Sequence, residues 1–259
     1  MKNNIKGLIL AAGRGSRLGA MTEAQPKGMV QLGGHSLIKW QLSALRASGV
    51  NDISIITGYK SEVFNIWNLP TFHNENWANT NMVLSLTSAS EWLMDSTCLV
   101  SYADIFFSPA DVCRLINKEC DIGVAYDPNW FALWEKRFEN PYEDAESFSL
   151  QGDRIIDIGR PVSEGDNIEG QYLGLLKITP VGWGQIELFV SSLEDAVSNK
   201  IDMTTLLRHL INRGVEIKGS KVEDDWGEVD HPSDLEFYQK QLQASGYSWA
   251  KDIGLIENI

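Results

Sequence analysis

LILAAGRGSRLG, residues 8–19, is the stretch on which the fold turns. It begins as a buried strand, with Leu8, Ile9 and Leu10 followed by the small Ala11 and Ala12. It then breaks into Gly13, Arg14, Gly15, Ser16, Arg17, Leu18 and Gly19. Glycines let a backbone turn sharply and let a ligand approach its amides. Arginines add charge and forked donors suited to phosphate. A strand ending in such a loop predicts a phosphate site at the carboxyl end of a sheet strand, where open α/β sheets bind ligands.

Working outward, strands and helices alternate. Residues 5–11 read as a strand, 36–48 as a helix stopped by Gly49, 53–56 as a strand and 61–67 as a short helix. A short strand is expected at 72–74, one helix capped at Asn79 or Thr80 and running to about 94, and a strand at 97–102 that ends by Asp104. Helix 109–117 and strand 122–126 follow. This order predicts βαβ units and a Rossmann-like mixed, mostly parallel α/β sheet flanked by helices. After Tyr126 the texture changes to DPNWFALWEKRFENPYEDAE, aromatic and charged. Strands at 145–150, 154–158, 171–178 and 215–217 and helices at 183–193, 202–213 and 232–245 elaborate the same sheet, with no linker between the halves.

Bulk properties narrow the function. The 259 residues carry 22 Lys and Arg against 35 Asp and Glu, a net charge of −13, which argues against nucleic acid as a partner. The basic cluster of Arg14, Arg17 and Lys27 is therefore local, and suits a polyanion. Three cysteines without a CxxC exclude a disulfide framework or a zinc site and fit a cytoplasmic protein. No apolar run approaches the ~18 residues of a membrane span. The short run after Lys2 and Lys6 meets Arg14 at once and does not read as a signal peptide.

Gly13-x-Gly15-x-x-x-Gly19 also resembles a loosened dinucleotide fingerprint. That fingerprint wants an acid at the end of the second strand, where this chain has Thr57-Gly58-Tyr59-Lys60. A P-loop needs Gly-Lys-Ser/Thr, which is absent. Gln25-Pro26-Lys27-Gly28-Met29 instead supplies a third cation able to reach the same polyphosphate.

Together, LILAAGRGSRL and QPKGM resemble the signature of the nucleotidyltransferases that activate sugar 1-phosphates and phosphocholine. The resemblance implies a GT-A-like nucleotidyltransferase fold. It implies that Leu10, Ala11, Ala12, Gly13, Arg14, Gly15, Ser16 and Arg17 cradle a nucleoside triphosphate, and that Arg17 and Lys27 neutralise its charge. The family also places one magnesium-binding aspartate after a central strand and another late in the chain. Tyr102-Ala103-Asp104 fits the first and Trp226-Gly227-Glu228-Val229-Asp230 the second, which makes Arg17, Lys27, Asp104 and Asp230 the expected catalytic set and Mg²⁺ the expected cofactor. Asp230, before His231-Pro232, would equally make a helix cap. Asn76-Trp77-Ala78-Asn79-Thr80-Asn81-Met82-Val83-Leu84-Ser85-Leu86 resembles the pyrimidine segment of bacterial phosphocholine cytidylyltransferases, with Asn81 and Ser85 on one helix face. The Gly-Thr-Ala stretch usual in the sugar enzymes is absent. One domain over 1–259 is expected, with a nucleotide part of about 1–125, an acceptor part of about 126–225 and a metal-site return of about 226–259.

Trp130, Trp134 and Phe138 are spaced i, i+4, i+8 and share a helix face, either core or a wall of the acceptor pocket. Aromatic faces attract quaternary ammonium groups. Arg137 suits a carboxylate or phosphate, and Glu135, Glu143, Asp144 and Glu146 an amine. By analogy with the family, Gln171 and Tyr172 belong to a second wall. Phosphocholine, an aminoalkyl phosphonate and an amino-acid phosphate such as phosphoglutamine all stay open as acceptors. The expected enzyme is a cytidylyltransferase serving cell-surface polysaccharide (capsule) or phospholipid and phosphonate decoration, as monomer or homodimer, with no membrane partner. The alternatives are a sugar-1-phosphate nucleotidyltransferase using UTP or another triphosphate, and a non-catalytic nucleotide-binding regulator.

Overall fold

The Leu8–Leu10 run does form a strand covered on both faces. In the computed structural model, which describes residues 5–244 and 246–256, Leu8 and Leu10 face one core layer while Ile9 and Ala11 face the other. Among the described residues, β1 (Lys6–Ala11), β2 (Asp52–Thr57), β3 (Thr71–His73), β4 (Cys98–Tyr102), β5 (Ile122–Asp127), β6 (Glu146–Gln151), β7 (Arg154–Pro161), β8 (Gln171–Ile178) and β9 (Ile217–Lys221) make one nine-stranded sheet. Its order is β3-β2-β1-β4-β8-β5-β9-β7-β6. β1 runs parallel to β2 and β4, in register through Ile9↔Ile55 and Ile9↔Ser101. β7 and β8 run antiparallel to both of their neighbours. Because β8 lies between β4 and β5, the later part of the chain is built into the middle of the sheet.

Among the described residues the α-helices are α1 (Leu37–Ala47), α2 (Met82–Thr87), α3 (Ser90–Asp95), α4 (Pro109–Ile116), α5 (Trp130–Arg137), α6 (Pro180–Ser191), α7 (Asp195–Ser198), α8 (Met203–Asn212), α9 (Pro232–Ala244) and α10 (Ser248–Asp252). α2, α3, α6 and α8 cover one face through Leu86, Leu93, Trp183 and Leu206. α1, α4 and α5 cover the other through Leu42, Val112 and Trp134. Burial of such side chains contributes roughly 1.5–3 kcal/mol each. An aromatic cluster of Trp40, Phe106, Tyr238, Tyr247 and Trp249 ties α9 and α10 to α1.

Two expectations are corrected. The single helix expected to be capped at Asn79 or Thr80 and to run to about 94 is two helices, α2 and α3, and the cap is Asn81, with Met82 the first helical residue. Near the break, Thr87 Oγ1 donates to the Leu84 carbonyl at 2.7 Å and Ser88 Oγ to that of Ser85 at 2.6 Å. Hydroxyls that take carbonyls in this way compete with the helix ladder. The strand at 215–217 lies instead at 217–221, because Gly214 (φ 84°) and Val215 complete the end of α8, with Val215 N–H donating to the Leu210 carbonyl.

A short antiparallel ribbon does not show in the sequence pattern. Ile105–Phe106 pairs with Gly227–Glu228, and Val229 N–H donates to the Asp104 carbonyl at 2.9 Å. It joins the end of β4 to the segment before α9.

Candidate active site

The loop after β1 turns at Gly15, whose φ of 76° lies in the left-handed region that glycine adopts without strain. Thr22 Oγ1 pins the loop by donating to the Gly15 and Gly19 carbonyls at 3.0 and 3.2 Å. A Cβ on Gly15 would stand 2.6 Å from Lys27 Cβ, so the loop packs directly on the lysine stem. The carboxyl ends of β1 and β4 and the start of α2 then enclose a cleft of about 320 Å³.

Leu10, Ala11, Ala12, Gly13, Gly15, Ser16, Arg17 and Lys27 line this cleft, facing Asn81, Ser85, Tyr102, Ala103, Asp104 and Asp230. Arg14, on the same loop, stands outside the lining of the cleft, with its guanidinium carbon 6.0 Å from the Tyr59 ring. Asn81 accepts from Met82 N–H at 2.7 Å and donates to the Lys200 carbonyl at 3.1 Å. Ser85 Oγ accepts from Asn74 Nδ2 at 2.9 Å. Trp77, within the Asn76–Leu86 segment, joins the cleft with its ring 5.3 Å from that of Tyr59.

The charges concentrate at one end. Lys27 Nζ donates to Asp104 Oδ2 at 2.6 Å and also to Asp230 Oδ1, and Arg17 pairs with Asp230 Oδ2. Burial alone would lower the Lys27 ammonium, but Asp104, Glu228 and Asp230 together hold it above its usual value. Burial works against an ionised Asp230, yet Lys27 and then Arg17 keep its carboxyl below the usual range. Burial, with the like charge of Asp104 behind it, pushes the Glu228 carboxyl up to about 8.

Glu228 is absent from the expected set. The signal lay in the alternation of Glu228 and Asp230, which share a face of an extended segment. Asp104, Glu228 and Asp230 each offer a carboxylate oxygen, and these oxygens lie within 4.8 Å of one another. Asp104 Oδ1 is buried and has no hydrogen-bond partner among the described residues. An all-oxygen set with an unsatisfied member fits a hard divalent cation.

A second cavity, of about 250 Å³, shares Met82 and Tyr102 with the cleft. It opens where β8 bulges between Tyr172 and Leu176, with Gly174 at φ 87°. Tyr172 stands edge-on to Tyr102 at 5.7 Å. Asp144, Glu146, Asp202 and Glu228 line it, and neither lysine nor arginine is among the lining residues. Burial raises the Asp144 and Glu146 carboxyls. Gln171 lines this cavity as well, but it accepts from Glu146 N–H and donates to the Glu146 and Gly170 carbonyls, so its amide is spent on fixing Glu146. Glu135 is exposed, and Glu143 lines a further open hollow.

The aromatic face resolves mainly as core. Trp130 is buried, with Nε1 donating to the Ile168 carbonyl at 3.2 Å. Phe138 stands beyond the end of α5 in extended backbone and leaves the expected helix face. Trp134, 3% exposed, packs on Trp226 and also lines the second cavity, and its Nε1 has no partner among the described residues. Arg137 is corrected as an acceptor-facing cation. Its side chain is 0% exposed and pairs with Asp234 at 3.0 Å.

The sequence matches the family model described as MobA-like NTP transferase domain over residues 7–164. It is 34% identical over 245 residues to CTP:phosphoglutamine cytidylyltransferase of Campylobacter jejuni subsp. jejuni serotype O:2, a match covering 88% of this chain and 97% of that protein. The solved CTP:phosphocholine cytidylyltransferase from Streptococcus pneumoniae is similar with a TM-score of 0.71 at 21% identity, over 92% of this chain and 99% of that one. The inositol-1-phosphate CTP transferase from T. maritima is similar with a TM-score of 0.69 at 20% identity, over 94% and 98%. At those identities the two structures speak for the fold. No helix among the described residues is long and apolar enough to cross a membrane.

Proposed function

The chain belongs to the family of MobA-like NTP transferase domains and is a nucleotidyltransferase, and on that premise we propose that it transfers the cytidylyl group of CTP to the phosphate of a small acceptor bearing an ammonium group. One observation carries this reading. Lys27, Asp104, Glu228 and Asp230 meet beside two cavities that share Met82 and Tyr102. A triphosphate in one cavity and a phosphate entering from the other would converge on the same charges.

A phosphate monoester has a second pKa near ~6 and is already an anion at neutral pH, so no general base is required. What remains is alignment and charge neutralisation. The acceptor oxygen attacks the α-phosphorus in line, the bond to the bridging oxygen breaks, and pyrophosphate leaves with that electron pair. Lys27 would pass from its carboxylates to the α-phosphate, and the exposed Arg17 at the mouth would hold the pyrophosphate. Members of this family generally use a divalent metal. Here Mg²⁺, held by Asp104, Glu228 and Asp230, would neutralise charge at the transferring phosphoryl group. Asn81, Ser85 and Trp77 would receive the cytosine.

The four carboxylates of the second cavity suit an ammonium group. Trp134 Nε1–H, without a partner among the described residues, and the Tyr172 hydroxyl beside Tyr102 are neutral donors suited to a carboxylate. A phosphorylated amino acid carries both groups, and phosphoglutamine is the acceptor in the name of the full-length relative. The free thiols of Cys98, Cys113 and Cys120 support work in a reducing cytoplasm.

Pyrophosphate release with CTP, UTP, ATP and GTP against phosphoglutamine, phosphocholine, 2-aminoethylphosphonate and glucose 1-phosphate tests the reading. CTP with an aminated acceptor should lead. UTP with glucose 1-phosphate in the lead would place the enzyme in the sugar branch, and no release with CTP and any aminated acceptor would overturn the proposed substrates.

A further inference from the structure

Asp234 sits in the first turn of α9 with its side chain 1% exposed. One of its oxygens accepts two backbone N–H groups, from Asp230 at 2.9 Å and from His231 at 2.8 Å. That carboxylate thus fixes the turn carrying Asp230, as a capping acid fixes a helix start. Its other oxygen accepts from Arg137 Nε at 3.0 Å. The Arg137 guanidinium carbon lies 5.2 Å from the Trp134 ring and 4.9 Å from that of Phe138. Arg137 Nη2 faces Glu228 Oε2 at 3.7 Å. Neither Nη1 nor Nη2 has a hydrogen-bond partner among the described residues.

A buried ion pair is a weak source of net stability, since desolvation offsets most of its attraction. Two open terminal nitrogens make this one weaker still as a structural device. Its placement is more informative. One buried pair holds the Asp230 turn from behind, faces Glu228 and stacks against the aromatic wall of the second cavity. Arginine suits this because its planar fork presents several donors at fixed angles; lysine presents one point charge.

We propose that Arg137 and Asp234 are positioning residues for the transfer: they set Glu228 and Asp230 as a pair of metal ligands and tie that pair to Trp134. The proposal rests on Asp104, Glu228 and Asp230 holding the metal. Groups that orient metal ligands typically cost 10–100-fold in metal affinity or activity when replaced.

The test compares Arg137→Lys and Asp234→Asn with Ile186→Ala, which opens a cavity in the α6 core away from the site. Free Mn²⁺ is counted by electron paramagnetic resonance in the presence of CTP, beside kcat, KM for CTP and melting temperature. Arg137→Lys and Asp234→Asn should weaken Mn²⁺ binding and lower kcat by about 10–100-fold each, with KM for CTP at saturating metal within about twofold. Ile186→Ala should lose melting temperature and keep wild-type Mn²⁺ affinity. Should Asp234→Asn not fold, Arg137→Lys and Arg137→Gln carry the comparison. Wild-type Mn²⁺ affinity and kcat in the folded Arg137 variants would overturn the proposal. Wild-type protein with CTP that binds no Mn²⁺, or an Asp104→Asn variant that binds it normally, would instead overturn the metal reading beneath it.

Discussion

Lys27 Nζ lies 2.6 Å from Asp104 Oδ2, so a carboxylate proposed for the metal is already neutralised by a cation proposed for the nucleotide. Asp230 is neutralised in the same way by Lys27 and Arg17. A metal ion alone would have to displace these cations, and a triphosphate alone would have to strip them from their carboxylates. Together, each frees the partner of the other. Binding should therefore be strongly interdependent. Mn²⁺ titrated with CTP present should bind about 5–150-fold more tightly than Mn²⁺ alone, the usual range of a coupling between sites. Calorimetry of the two titrations checks this, and equal affinities would refute it.

Lys27→Met removes the common cation and leaves Asp104, Glu228 and Asp230 facing one another. Lys27 is 8% exposed, so solvent screens the loss only slightly. Removing one partner of a buried pair costs about 3–5 kcal/mol. The variant should melt well below wild type without metal, recover most of that loss when Mg²⁺ is added, and keep little turnover. Melting curves with and without Mg²⁺ report the recovery; the absence of any metal-dependent gain would count against a carboxylate metal site.

Gly15→Ala strains the loop after β1 twice. The left-handed backbone costs a side-chain-bearing residue roughly 1–2 kcal/mol, and the new methyl would meet the Lys27 stem. The expected result is a KM for the triphosphate raised by about tenfold or more, with the KM for the acceptor nearly unchanged. Steady-state kinetics in both substrates separate the two.

Much of this site is written in short-range signals. The β1 loop, Pro26-Lys27 and Tyr102-Ala103-Asp104 are contiguous, and their chemistry depends on little beyond the strand each follows. Glu228 is different. Its face toward Asp104 is set by the two-residue ribbon with Ile105–Phe106, a pairing across more than a hundred residues that no local pattern announces. Arg137 is different again. Helical spacing groups Trp130 and Trp134 on one face, yet it cannot say what that face meets. Here it meets Trp226, with Asp234 beside it, and the arginine is taken up by the fold. The break between α2 and α3 turns on hydroxyl-to-carbonyl bonds that a hydrophobic pattern does not encode.

Trp134 serves both core and cavity, and two substitutions separate those roles. Trp134→Ala should cost roughly 3–5 kcal/mol of stability and impair every function together. Trp134→Phe keeps most of the packing and removes the unpartnered N–H. Losing one hydrogen bond to a charged group costs about 1.5–3 kcal/mol, which at about 1.4 kcal/mol per tenfold is roughly one to two decades in acceptor efficiency. Melting temperature and acceptor kinetics, measured side by side, should show that split. Unchanged acceptor kinetics in the phenylalanine variant would leave the indole a packing role only.

Phosphorus NMR of the purified protein with CTP, Mg²⁺ and phosphoglutamine tests the proposed reaction most directly. Resonances of a diphosphate-linked CDP product and of pyrophosphate should grow in equal amounts while those of CTP decline, and UTP, ATP or GTP in place of CTP should give little product. A purine triphosphate preferred over CTP, or glucose 1-phosphate consumed in preference to every aminated acceptor, would contradict it.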